Sequence, residues 1–163
     1  MKVQILNNIL DQTTFDKTVS IYKDLINSQE MDYQGNGWGR LYSKRHWWFD
    51  YLHSNQILNV AKRMFGDEIR PSYSALSYYF RPDSVCPIHV DRPQCRYSLD
   101  MVVFQDEMWP IYVNFKKIEM YPNQASCHSG SNHIHWRDKI KNNNRIGLAF
   151  FHFTDSDFKG DRN

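Results

Sequence analysis

The sequence is short of cysteine, of glycine and proline runs, of net charge and of long apolar stretches, and each shortage removes a class of protein. Three cysteines, Cys86, Cys95 and Cys127, are odd in number and follow no framework spacing, which excludes a small disulfide-stapled domain. Seven glycines and six prolines in 163 residues leave no low-complexity linker, and no internal repeat is present. Twenty basic against eighteen acidic side chains give a net charge of +2. The basic runs are brief (Lys44-Arg45, Lys116-Lys117, Lys139 to Lys141), so no nucleic-acid partner is expected. No apolar run nears the roughly 18 residues that a membrane-spanning helix needs. Met1 to Asn8 contain no apolar stretch of signal-peptide length, and a cytoplasmic location is the expectation. Nothing bears on oligomeric state.

What is present describes an ordinary folded chain. Hydrophobic content of 41% and charged content of 23% are globular rather than disordered values. A chain of this length buries about two-thirds of its unfolded surface, and a single domain over 1–163 is expected. Aromatics are abundant at 15%. They suit pleated strands and also binding clefts, so no single one is diagnostic.

The pattern predicts a helix over 13–29, with Phe15, Val19, Tyr22 and Ile26 on one face and Thr13-x-x-Asp16 as its capping box. Residues 31–46 have no period and read as a loop. Their Gly35-x-Gly37-x-Gly39 follows no predicted strand, so no phosphate cradle is expected. A second helix is predicted over 50–65, closed by Gly66. From Ser72 the texture is strand-like: Ser72 to Phe80, Tyr97 to Phe104, Pro110 to Phe115 and Ile146 to Phe153, separated by turn signals. Helices followed by many short strands predict a helical part over 1–68 buttressing an antiparallel sandwich or barrel core over 70–155, an α+β chain that is mainly β.

The candidate chemistry lies in the β half. His89-Val90-Asp91 places an imidazole and a carboxylate two residues apart, hence on one side of an extended segment. A second histidine from a distant strand would complete two histidines and one carboxylate, the facial set that leaves open positions on a non-haem Fe(II). His135 lies 46 residues beyond His89 and is one choice, with His133 the other. Arg145 follows His135 by ten residues at the head of an apolar strand, where a buried guanidinium could grip a carboxylate. A rival zinc set, Cys86-x-x-His89 with Cys95 and Cys127, follows no established spacing.

His89-x-Asp91, His135 and Arg145 together resemble the iron- and 2-oxoglutarate-dependent dioxygenases, on the prolyl-4-hydroxylase-like branch. The likeness spans Ser72 to Phe153, with Tyr79, Trp109-Pro110 and Gly130 also fitting; the first 68 residues resemble nothing named. The resemblance implies a double-stranded β-helix, a jelly-roll or cupin-like core. It implies Fe(II) on His89, Asp91 and His135, the far carboxylate of the 2-oxoglutarate cosubstrate on Arg145, and Tyr79 beside that cosubstrate. O2 is the second cosubstrate and ascorbate a helpful reductant. The implied reaction is hydroxylation of a C–H bond, releasing succinate and CO2. A small-molecule, amino-acid or peptide substrate is expected, with Arg92, Trp136 and Arg137 as pocket candidates and Trp47 and Trp48 in a lid over 31–48. Two alternatives stay open: a cupin-like metal protein with non-redox chemistry, and a non-catalytic β-sandwich binding module.

Overall fold

A computed structural model describes residues 2–35 and 37–162. Met1, Asn36 (within the loop expected over 31–46) and Asn163 lie outside the described residues. In chain order the elements are β1 (Gln4–Leu6), α1 (Gln12–Asn27), β2 (Asp32–Gln34), β3 (Arg40–Lys44), α2 (Trp47–Ser54), α3 (Gln56–Phe65) and β4 (Ile69–Tyr79). Then come β5 (Cys86–His89), β6 (Tyr97–Gln105), β7 (Ile111–Val113), β8 (Lys116–Ile118), β9 (Ala125–His128), β10 (His135–Arg137) and β11 (Ile146–Asp155).

The strands form two antiparallel sheets, one of seven in the order β1-β9-β6-β11-β4-β3-β2 and one of four in the order β5-β10-β7-β8. Side-chain alternation along the long central strands decides what each face does. On β6 and β11, Leu99, Met101, Val103, Ala149, Phe151 and Phe153 turn to one side and join Phe15, Tyr22, Leu25, Phe49, Leu52 and Ile57 from the helices. On the other side, Val102, Ile146 and Leu148 meet Tyr79, Ile111, Val113 and Trp109 between the sheets. The helices therefore cover the outer face of the large sheet, and the space between the sheets is left to a second, smaller apolar cluster. This is the antiparallel sandwich expected from the strand pattern, in the jelly-roll form that the resemblance implies.

Several local expectations are corrected. Helix α1 is capped by Asp11, whose carboxylate accepts from the Thr14 amide, and Thr13 is already inside the helix. Helix 50–65 is two helices, because Asn55 leaves helical geometry (φ −126°, ψ −99°) and turns the chain between them. Gly66 does close α3, at φ +97°, where a side chain would be strained. The segment 31–46 is mostly a hairpin: β2 pairs with β3, and β3 with β4, extending the large sheet. The first 68 residues thus supply three strands as well as helices.

Candidate metal centre and cavity

The centre is built where β5 and β10 run side by side. His135 stands directly opposite His89 in the ladder, with ring centroids 4.3 Å apart. Asp91 lies two residues past the strand end, and its amide donates to the Gly130 carbonyl at 2.9 Å. The Asp91 Oδ1 atom is 3.5 Å from His89 Nε2 and 3.6 Å from His135 Nε2. Each of the three side chains offers a ligand atom within 4.8 Å of the others, and among the described residues no other such group of histidines, cysteines or acids exists.

The backbone fixes which nitrogen faces inward. His89 Nδ1 lies 2.6 Å from the Pro87 carbonyl, and His135 Nδ1 2.8 Å from the His133 carbonyl. A carbonyl only accepts, so both Nδ1 atoms carry the proton and both Nε2 atoms present a lone pair toward Asp91. Asp91 is steered in turn. Ser98 donates to its Oδ2 at 3.3 Å and lies 2.9 Å from His152 Nδ1, so a proton chain runs from His152 through Ser98 to the carboxylate. Burial works against the charge on Asp91. The His89 hydrogen bond and the charges of His152, His135 and His89 nonetheless hold its carboxyl well below the usual range. Burial opposes charge on His89 too, but Asp91 and the Pro87 carbonyl raise it above its ordinary value, while burial lowers His135. Gly130 makes room for the arrangement: a Cβ there would come within 2.4 Å of Asp91 Oδ2 and 2.5 Å of the Cys95 carbonyl.

The centre opens onto a cavity of about 720 Å3 between the sheets, lined among others by Trp38, Arg40, Lys44, Tyr79, Arg92, Asp100, Arg137 and His152. At its base Arg137 is only 2% exposed. One of its terminal nitrogens donates to the Trp109 carbonyl; the other, Nη2, has no partner among the described residues. Burial, with the charge of Asp91, pushes the Asp100 carboxyl up to about 8, so at neutral pH the neutral acid predominates beside Arg137. Tyr79 is buried against the same space, its hydroxyl accepting from Arg40 Nη1 at 3.2 Å.

The structure brings His89, Asp91, His135, Tyr79, Arg92 and Arg137 to this cavity and leaves Arg145, Trp136, His133, Trp47 and Trp48 outside it. Arg145 is corrected. Its side chain is 63% exposed and forked onto Asp106 at 2.8 and 3.3 Å, on the helix side of the large sheet with Lys23 and Tyr78. Strand parity is the reason: the inward position at the head of β11 is taken by Ile146, which is fully buried. Trp136 points to the outer face of the small sheet, stacked on Tyr112 with ring centroids 5.0 Å apart. His133 stays apart from the three converging residues, its Nδ1 accepting from the Ser129 amide. Trp47 and Trp48 lie on α2, where Trp48 packs on α1 through a bond to Thr18. The hairpin residues Tyr33, Gly35 and Trp38 line the mouth instead, Trp38 edge-on to His89 at 5.4 Å. Cys86, Cys95 and Cys127 do not converge with His89, which overturns the zinc alternative. Arg40, Lys44, Asp100 and His152 were missed by sequence reading. Alternation along β3, with Arg40, Tyr42 and Lys44 on one face, was the available signal.

No protein-family profile matches the sequence, and no curated protein is similar enough to count as a relative. Solved structures do match. SnoN, a non-heme alpha ketoglutarate dependent epimerase from nogalamycin biosynthesis, superposes with TM-score 0.76 at 12% identity over 94% of this chain and 78% of that one. A Pseudomonas putida prolyl-4-hydroxylase gives TM-score 0.70 at 10% identity, covering 92% and 91%. HygX from Streptomyces hygroscopicus, crystallised with nickel, 2-oxoglutarate and hygromycin B, gives 0.70 at 10% identity, covering 96% and 84%. The fold of this chain is the double-stranded β-helix that 2-oxoglutarate-dependent oxygenases are built on.

Proposed function

We propose that the protein is an Fe(II)- and 2-oxoglutarate-dependent oxygenase that hydroxylates a C–H bond of a small molecule. The observation that carries this reading is the convergence of His89 Nε2, Asp91 Oδ1 and His135 Nε2, with both imidazoles locked by carbonyls in the ligating tautomer. The donor set fits iron: two neutral nitrogens and one anionic oxygen occupy one side of the ion and leave the cavity side open. With 2-oxoglutarate and O2, bound iron supplies the oxidising power for hydroxylation, releasing succinate and CO2.

The chain's own residues do the positioning. Arg137 takes the far carboxylate of the cosubstrate, in place of Arg145. It lies two residues along the same face of β10 from His135, roughly 7 Å at strand spacing, a separation that suits a short dicarboxylate. Its unpartnered Nη2 supports the assignment, since a buried guanidinium nitrogen without an acceptor is costly until one arrives. The neutral Asp100 does not cancel that charge, and Tyr79 offers a hydroxyl beside it. Ile111, Leu148 and the Tyr79 ring surround Arg137 with apolar surface and limit water there.

The test is anaerobic titration of Fe(II) followed by 2-oxoglutarate, read by calorimetry, with succinate release measured after oxygen is admitted. One iron should bind, and His89→Ala, Asp91→Ala and His135→Ala should each abolish binding while His133→Ala keeps it. Iron binding without any 2-oxoglutarate binding would favour the non-redox cupin reading. Absence of iron binding would favour the binding module.

A further inference from the structure

We propose that the substrate carries an anionic group, a carboxylate or a phosphate, bound between Lys44 and Arg92 at the mouth of the cavity; this rests on the oxygenase reading above. Four cationic side chains line the cavity: Arg40, Lys44, Arg92 and Arg137. Two have work already. Arg40 donates to Gln34, Ser77 and Tyr79, and its guanidinium stacks 3.8 Å over the Trp38 ring. Arg137 belongs to the cosubstrate.

Lys44 and Arg92 are surplus. Among the described residues neither makes an ion pair; burial first and then the charge of Arg92 disfavour the charge on Lys44, against a weaker pull from Asp161. The acids lining the cavity do not serve them. Asp91 faces the two histidines and Ser98, and Asp100 is buried at 3% exposure. An isolated surface lysine would be held by nothing, whereas Lys44 Nζ is set 4.5 Å over the ring of Tyr73, which lines the same cavity. Strand β3 turns Arg40, Tyr42 and Lys44 to the inside of the sandwich, where a closed core would carry apolar residues. Two like charges on one rim, neither in an ion pair, repel each other, and an anion placed between them offsets that repulsion while gaining charge-assisted bonds. Tyr42, Tyr73 and Phe150 pack together and line the same cavity, an aromatic surface that suits a substrate with a flat apolar body.

The experiment titrates benzoate, phenyl phosphate and neutral benzamide into protein loaded with nickel and 2-oxoglutarate, by calorimetry. At least one anion should saturate where benzamide does not, and the tighter of the two anions identifies carboxylate or phosphate. Lys44→Gln and Arg92→Gln should each weaken that anion about tenfold or more, with 2-oxoglutarate affinity retained. Equal binding of benzamide, binding of neither anion, or anion affinity that survives both substitutions would overturn the proposal. Failure of nickel or 2-oxoglutarate to bind the unaltered protein overturns the oxygenase reading instead, and is seen before any probe is added.

Discussion

At the scale of single residues, what was legible followed strand parity and what was misread followed counting. His89 and Asp91 share a side because they are two apart, and the ladder brings His135 opposite His89. The ten-residue interval to Arg145 says nothing of which face that residue takes, and the face went to Ile146. The parity rule that joins His89 to Asp91 also joins His135 to Arg137, so the buried guanidinium was within reach of the sequence. Arg137→Gln should therefore raise the 2-oxoglutarate dissociation constant about ten- to a hundredfold, as expected for losing a charge-assisted bond of roughly 1.5–3 kcal/mol. Arg145→Gln should leave it unchanged, because its fork with Asp106 is solvent-exposed. Calorimetry on both variants separates the two assignments, and the opposite result would restore Arg145. Gly130 is a second residue-scale test. A methyl group there collides with Asp91 Oδ2 and with the Cys95 carbonyl, so Gly130→Ala should weaken iron binding by displacing a ligand that the substitution does not itself remove. Unaltered iron affinity in a folded Gly130→Ala protein would mean that Asp91 is not held where the structure has it.

At the scale of elements, the long strands were visible because they are half core and alternate cleanly. β6 and β11 send apolar side chains to the helices on one face and to the cavity side on the other. The short strands β5, β8, β9 and β10 have three or four residues each, too few for a period to emerge. β3 was lost for a different reason: its inward face is Arg40, Tyr42 and Lys44, polar because it borders a cavity, so the usual core signature is missing. The helix starts show how local competition defeats a motif. Thr13-x-x-Asp16 has the form of a capping box, but Asp11 reaches the Thr14 amide at 2.9 Å and the Thr14 hydroxyl at 2.7 Å, and the cap lies two residues earlier. Asp11→Ala should then cost about 1 kcal/mol of stability, whereas Thr13→Ala should stay within about 0.5 kcal/mol. Urea unfolding of the two variants measures this, and a larger loss at Thr13 would restore the box.

At the scale of the whole molecule, buried titratable groups set how stability depends on pH, and they act in opposite directions. Asp100 is held at about 8 by burial, against an unfolded value near 3.9. Between those limits the folded state binds the extra proton, so stability increases as pH falls from about 8. His53 and His128 are both held at about 3 by burial, against about 6.5 unfolded. Above pH 6.5 both states leave them neutral and they contribute no slope. Below it the unfolded chain takes protons that the folded one refuses, and each histidine lowers stability by about 1.4 kcal/mol per pH unit down to about pH 3. Two such slopes exceed the single opposing slope of Asp100, and burial of His135 and His152 adds to the loss. The metal-free protein should therefore be most stable near pH 6.5, weaker at pH 8.5 and weaker again at pH 5. His53 serves better than His128 as the probe of the acid limb, since it packs against Phe151 and Phe153 on the helix side and is coupled to His152 rather than directly to a ligand. Replacing it as His53→Phe should flatten that limb by about one histidine's slope, and Asp100→Asn should flatten the alkaline limb, leaving the part that the raised His89 contributes. Urea midpoints in EDTA from pH 5 to 8.5 read both, and a midpoint that climbs steadily as pH drops from 6.5 to 5 would show that these histidines are charged inside the folded protein.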